Sequence, residues 1–368
     1  MEDSDIKESL TNEKDLMMCR ILSYNVFMRP PGISSDKVGD VKNERLQGII
    51  TNILPKYDII CLQEMFTRLN CRRETLIAAA KDAGLKYFSI PPEQPFFSLY
   101  MINSGLLTMS RHKIVATDFI PFANGSGVDR LAYKGVMYSR IEMAPGKYLN
   151  LFNVHLQAHY HSLDKDNITS RLNQILELRK TIELCLRTYT KLFEKIDGHE
   201  TFEEPIYVIG DFNVCANKHM FSYEGYLRRN TTNDNFFDFI DQSHPEDPNF
   251  SEYEYLMYML RKNFDHTDEP NKVVDFLFDK YGYHPITYIE DIHSEIEVDI
   301  HQMTNHDSMD FIFQIIPPGQ DENRIILKSS PTSSQVQPFR SDANSNYKYT
   351  SDHLGIEFVV KIPELMTD

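Results

Sequence analysis

The feature that most constrains this chain is a series of short apolar runs, each stopping on a polar side chain able to ligate or to hydrogen-bond. Ile206-Tyr207-Val208-Ile209 ends at Gly210 and hands over to Asp211 and Asn213. Ile21 to Tyr24 leads to Asn25, Ile59 to Gln63 leads to Glu64, and Leu151 to Val154 leads to His155. Val273-Val274 leads to Asp275, and Asp352-His353 opens the run Leu354 to Val360. Apolar runs of this length, bounded by turn residues, read as buried strands.

Helical spacing alternates with these runs. Asn43 to Leu54 puts Leu46, Ile49, Ile50 and Ile53 on one face and stops at Pro55. Arg73 to Ala83 ends at Gly84, a C-cap residue, and Ser170 to Phe193 is a long amphipathic helix. Further strands are expected over 105–109, 112–120, 135–143 and 148–154, then 205–209, then 273–278, with a helix-rich stretch up to about Arg261. Runs of strands broken by helices predict an α+β chain, with two sheets packed face to face and helices outside. Phe96 to Ile102 reads either as a core strand or as an apolar surface contact.

At 368 residues and 41% hydrophobic content, the chain can bury a sizeable core. Residues 1–18 are an acidic tail, and 19–368 are expected to form one catalytic domain. Residues 281–323 hold no Lys or Arg, and 329–346 are rich in Ser and Asn, so about 281–349 is expected to be a partly flexible insertion. The net charge of -16 argues against a phosphate-backbone binder, and no nucleic acid is expected as partner. Five cysteines without a CxxC read as free, mostly buried thiols. With no leader-like or spanning segment, the expected location is the cytoplasm or a membrane periphery; secretion from a longer chain is left open.

Asn, Asp, Glu and His at the ends of packed strands are held rigidly, as a site requires. Oxygen donors such as Glu64, Asp211 and Asn25 suit Mg2+. His155 and His353, without a cysteine set, suit proton transfer and phosphate contact better than structural zinc; His155, His159 and His161 could form a metal cluster, but the run follows a strand and zinc is not the expected ion.

The ordered series SYNV, LQE, NVHL, GDFN and SDH resembles the metal-dependent endonuclease/exonuclease/phosphatase superfamily, from Arg20 to about Val360. That resemblance implies a four-layer α/β/β/α sandwich with the site at one edge. It implies Glu64 as the direct Mg2+ ligand, with Mn2+ or Co2+ as substitutes, and Asn25 and Asp352 on the metal side. Asp211 and Asn213 would orient the nucleophile and bind the phosphate. His155 would contact phosphate and stabilise charge. His353 would be the general base, oriented by Asp275.

Three stretches narrow the resemblance: Phe27 to Pro31 with Lys42 to Leu46, Gly127 to Val136, and His155-Leu156-Gln157-Ala158 followed by Arg171 and Gln174. They are similar to the neutral sphingomyelinases, which implies Asp129 and Lys134 beside the site, Arg171 and Gln174 toward substrate, and sphingomyelin in a membrane surface as the partner. A nuclease would need a basic groove. An inositol-phosphate phosphatase of the superfamily would show a Trp-containing segment, and this chain has no Trp. A non-catalytic binding module would have lost Glu64, Asp211 or His353.

Overall fold

The structure, a computed structural model, describes residues 16–30, 40–94, 99–158, 165–191, 195–196, 199–200, 203–216, 252–264, 269–289, 292–293, 299–300, 308–320, 327–341, 345 and 347–363. In chain order the elements are β1 (Leu16–Met28), α1 (Lys42–Asn52), β2 (Ile59–Met65), α2 (Arg72–Asp82), β3 (Tyr87–Ser89), β4 (Leu107–Ser110), β5 (Lys113–Pro121), β6 (Gly135–Ala144), β7 (Lys147–His155) and α3 (Lys165–Tyr189). There follow a two-strand hairpin of β8 (Lys195–Ile196) and β9 (His199–Glu200), then β10 (Ile206–Asp211), α4 (Glu252–Arg261), β11 (Lys272–Asp275), α5 (Phe276–Tyr281), β12 (Asp310–Ile316), β13 (Lys328–Ser329), β14 (Gln335–Gln337) and β15 (Gly355–Pro363).

Two mixed sheets result. One runs β13-β15-β1-β2-β4-β3, with β14 also paired to β15; the other runs β11-β12-β10-β7-β6-β5. Alternation along each strand sorts side chains to two faces. Ile21, Ile59 and Cys61 of the first sheet meet Leu149, Leu151, Tyr207 and Ile209 of the second in the inter-sheet core. The outward set Leu22, Tyr24, Ile60 and Leu62 packs under Leu46 and Ile49 of α1 and Leu76 and Ala80 of α2. The outward set Val154, Ile206 and Val208 packs under Ile175, Leu178 and Ile182 of α3 and Leu256 and Leu260 of α4. Helix, sheet, sheet and helix are thus the four layers expected.

Each sheet has one parallel pair, β1 with β2 and β7 with β10; the other pairs are antiparallel. The carboxyl ends of these parallel pairs carry Asn25, Glu64, His155 and Asp211. The two ends meet, since Asn25 Nδ2 of the first sheet donates to Asp211 Oδ2 of the second at 2.9 Å.

Four expectations need correction. The region 281–349 is not simply an insertion: β12 lies inside the second sheet between β10 and β11, and β13 and β14 pair with β15. Its acid-rich flanks mask a buried strand, Asp310-Phe-Ile-Phe-Gln-Ile-Ile316. The tail does not run to 18, because Leu16 already faces Pro363 and Met18 faces Lys361; residues 1–15 lie outside the described residues. The stretch 273–278 is strand only to Asp275, whose Oδ1 caps α5 by accepting from the N–H groups of Leu277 and Phe278 at 3.1 Å. Within 96–102, Leu99 and Met101 are exposed and outside any strand, so the described part is no core strand. Phe96 and Phe97 lie outside the described residues, as does 217–251 of the expected helix-rich stretch.

Candidate active site

Backbone geometry sets the site before any side chain does. In the second sheet Asp211 of β10 is in register with His155 of β7 on one side and Asp310 of β12 on the other. Gly210, just before Asp211, has φ +143°, and a Cβ there would come within 2.0 Å of Val154 O. Only glycine permits that approach. Phe27 (φ 52°), Glu64 (φ 58°) and Asn213 (φ 51°) hold left-handed conformations next to the cleft. Such conformations cost a non-glycine residue about 1–3 kcal/mol and persist where surrounding structure enforces them.

At Phe27 the enclosing structure is Arg45, which is fully buried on α1. Its guanidinium donates to the carbonyls of Asp40 (2.7 Å), Val26 (2.9 Å), Phe27 (2.6 Å) and Thr350 (2.8 Å). Ser351 Oγ adds a bond to Asn25 O at 2.6 Å, and Tyr24 Oη meets Thr350 Oγ1 at 2.6 Å. The end of β1 is thereby tied to the turn that presents Asp352 and His353.

His353 lies between two carboxylates. Its Nδ1 is 2.9 Å from Asp310 Oδ2, and its Nε2 is 3.6 Å from Asp211 Oδ2. Burial disfavours the charged ring, but Asp310 and then Asp211 outweigh it and hold the imidazole well above its ordinary range. The expected orienting acid, Asp275, is elsewhere. It accepts from Tyr253 Oη at 2.8 Å, pairs with His284 Nε2 at 3.0 Å, and caps α5. Asp310 was missed because it opens the strand hidden in the acid-rich region; the apolar run behind it was the available signal.

Lys134 and Asp129, expected beside the site, are buried in it. Lys134 Nζ bonds Asp129 Oδ2 at 2.6 Å, Leu156 O at 2.8 Å and His155 Nε2 at 3.2 Å. An ammonium can only donate, so Nε2 of His155 accepts and is unprotonated. Burial first, then the Lys134 charge, push His155 well below its ordinary range. His155 is therefore an acceptor toward Lys134, while its buried Nδ1 has no hydrogen-bond partner. Asp129 Oδ2 also accepts from Ala158 N at 2.7 Å, which pins the ammonium and the turn after β7 together.

Arg171 and Gln174, expected toward substrate, are buried in polar contacts within the chain. Arg171 is fully buried, with Nε and Nη2 on the Glu252 carboxylate at 2.9 and 3.1 Å and Nη1 on Gln157 O at 3.2 Å. Gln174 accepts from Gln157 N and donates to Asn124 O, each at 2.7 Å. Three residues apart on α3, both point inward. They lock the Gln157 turn, which in turn grips Ser126 through Ser126 N to Gln157 Oε1 at 2.9 Å.

Glu64 Oε1 accepts from Asn25 Nδ2 at 3.2 Å, while its buried Oε2 has no hydrogen-bond partner. Burial raises the Glu64 carboxyl, and burial with the Glu64 charge nearby raises Asp352 to about 7 despite His353. An orphaned carboxylate oxygen and two acids lacking compensation fit a divalent cation with oxygen ligands. Asn25 bridges Glu64 and Asp211 through its amide nitrogen, and its Oδ1 already accepts from Phe27 N at 3.0 Å. Asn25 thus ties the two acids together at the end of β1. Asp211, Asp310 and His353 also bring ligand atoms within 4.8 Å of one another. There the imidazole already serves both carboxylates, so Glu64 is the better anchor. Asn213 N donates to Asp211 Oδ1 at 2.9 Å, and Asn213 Nδ2 donates to Leu156 O at 3.2 Å. His159 and His161 lie outside the described residues.

No family model matches the chain. In sequence it is 36% identical over 117 residues to a sphingomyelinase of Dictyostelium discoideum, covering 30% of this chain and 26% of that relative. It is 27% identical over 169 residues to sphingomyelin phosphodiesterase 5 of Danio rerio, covering 43% and 29%. The matched region thus spans less than a third of these relatives' own lengths. In structure, sphingomyelinase C from Streptomyces griseocarneus is similar at a TM-score of 0.53 and 14% identity, covering 93% of this chain and 99% of that one. A magnesium-bound mutant of beta toxin from Staphylococcus aureus is similar at 0.54 and 16%, covering 94% and 99%. TDP2 of D. rerio, complexed with a single-strand DNA product, is similar at 0.52 and 13%, covering 93% and 98%. Identities this low speak for the fold alone, which is the one expected.

Proposed function

We propose that this chain, a neutral sphingomyelinase-like member of the endonuclease/exonuclease/phosphatase superfamily, is a divalent-metal-dependent phosphodiesterase that hydrolyses sphingomyelin to ceramide and phosphocholine at a membrane surface. The observation that carries the reading is the buried Lys134 ammonium 3.2 Å from His155 Nε2, which itself lies 3.5 Å from Asp211 and 3.9 Å from Glu64. It puts one fixed positive charge at a cluster of acids where a phosphodiester can be gripped. The fold by itself fits a nuclease equally well, as the TDP2 likeness illustrates; the net charge of -16 opposes that substrate.

Glu64, with Asp352 near it, would hold the ion, Mg2+ with Mn2+ or Co2+ in its place; bound there, the ion supplies a Lewis acid for a phosphoryl oxygen and a charge opposed to protonation of His353. His353 takes the proton of the attacking water at Nε2. Asp310 fixes the tautomer by holding Nδ1–H, so that Nε2 is the basic nitrogen. Lys134 stabilises charge growing on the phosphoryl group. Its three donors are all engaged, so contact with substrate exchanges one of them, and the Asp129 carboxylate keeps the ammonium from drifting.

The test is phosphocholine release from sphingomyelin, with phosphatidylcholine and single-stranded DNA as competing substrates. Release should need a divalent cation, stop with chelator, and resume with Mg2+. Glu64→Gln should weaken calorimetric Mg2+ affinity and turnover together. Cleavage of DNA in preference to sphingomyelin would overturn the substrate, and unchanged Mg2+ affinity in Glu64→Gln would remove that residue from the metal site.

A further inference from the structure

Among the described residues, the three most exposed large apolar side chains are Leu99 (88%), Leu69 (85%) and Val128 (65%). They are far apart in sequence, yet their segments are bonded to one another. Arg68 Nη1 donates to Met101 O, and Thr67 N donates to Asn103 Oδ1 at 3.1 Å. Met101 N donates to Leu131 O at 2.7 Å, and Tyr133 N donates to Ile102 O at 3.0 Å. The Tyr100 and Tyr133 rings pack with centroids 4.8 Å apart. Met101, half exposed, lies on the same rim.

The rim borders the catalytic groups directly. Leu69 follows Glu64 on the β2–α2 connection, and Met65 N donates to Gly105 O at 2.8 Å, just past the Leu99 segment. Val128 adjoins Asp129, and Leu131 precedes Lys134 on the connection from β5 to β6. Two of these connections adjoin a site residue, Glu64 near Leu69 and Asp129 beside Val128, and the Leu99 segment is bonded to both; each exposes a large apolar side chain to water. Nothing in folding rewards that exposure; an apolar surface at the mouth of a site does.

We infer that the loops bearing Leu69, Leu99 and Val128 form one docking surface for a neutral phosphocholine bilayer. The identity of the lipid rests on the function proposed above; the surface rests on exposure and on the bonds between the loops. Exposed Arg68 and Arg130 sit within this apolar rim, placed to meet lipid phosphates at short range. The chain as a whole carries -16, which opposes approach to a net anionic leaflet. Apolar side chains with a few local cations match a zwitterionic headgroup layer.

The experiment is sedimentation with sucrose-loaded vesicles of phosphatidylcholine and sphingomyelin, with and without phosphatidylserine. It compares the protein with the triple variant Leu69→Ser, Leu99→Ser, Val128→Ser. Since apolar transfer scales with area, the triple variant should lose at least about tenfold in vesicle affinity while keeping its thermal midpoint. Leu99→Ser alone should lose about threefold, which keeps the inference testable if the triple variant fails to fold. Arg130→Glu should weaken binding, and phosphatidylserine should not strengthen it. Binding by the triple variant equal to the parent, no sedimentation of the parent, or binding that requires phosphatidylserine would each overturn the inference. Sedimentation needs no turnover, so it is separate from the substrate reading, which stands or falls on phosphocholine release from detergent-dispersed sphingomyelin.

Discussion

Among the described residues, two buried aspartate–histidine pairs are within hydrogen-bond distance, and they differ in what surrounds them. In one, Asp310 Oδ2 is 2.9 Å from His353 Nδ1, and the far nitrogen of the ring faces a second carboxylate, Asp211, at the cleft. In the other, Asp275 Oδ2 is 3.0 Å from His284 Nε2. There the acid is also bonded to Tyr253 and to two N–H groups of α5, and the ring packs against Tyr253, Phe278 and Phe311. The pair geometry is almost the same. What makes a candidate base is the far side of the imidazole, facing acids and substrate space in one pair and aromatic walls in the other. A short Asp–His contact is therefore weak grounds for catalysis by itself.

The sharpest way to break this comparison is to remove each ring. His353→Ala should lower kcat on sphingomyelin by about 10³–10⁴-fold with metal binding retained, whereas His284→Ala should leave kcat per folded molecule near the parent value. Single-turnover rates on both variants check it; equal losses would erase the distinction. The cation that sets the active pair apart comes next. Lys134→Ala should cost at least about a hundredfold in kcat. Asp129→Ala should lose activity as well, by letting the ammonium shift, with calorimetric Mg2+ affinity near the parent value. A near-normal rate in the Lys134 variant would reduce the stretch before β6 to scaffolding.

The acids themselves provide a smaller contrast. Asp310→Asn should lower kcat by about 10²-fold through misplacement of the ring, with little change in KM. Asp275→Asn should do the reverse, losing about 1–3 kcal/mol of stability through the α5 cap, Tyr253 and His284, with kcat per folded molecule unchanged. Denaturant midpoints and steady-state rates, measured on the same preparations, decide between them. Arg45→Met should combine the two effects, since it frees three carbonyls at the end of β1 and in the turn before β15, and that of Asp40 before α1. A loss of stability with no change in kcat would mean that the clamp does not reach the site.

Much of this was legible in the residues alone. Period-2 alternation in Ile206 to Ile209 and Ile21 to Tyr24 determined which side chains enter the inter-sheet core and which lie under the helices. The polar residues closing those runs, Asn25, Glu64, His155 and Asp211, did converge, because strand ends that stop on the same edge of packed sheets must be neighbours. The need for glycine at 210 was not local, since it comes from Val154 O of the paired strand β7, which a Cβ would meet at 2.0 Å. The partnership of His353 was not local. It depends on β12 pairing antiparallel to β10 in the register that sets Asp310 beside Asp211, and a one-residue slip would turn that carboxylate to the other face. The burial of Lys134 against three acceptors and the inward turn of Arg171 and Gln174 are likewise contacts between distant elements. Periodicity determines a side chain's face on its own element, whereas its partner across the core is decided only when the sheets close.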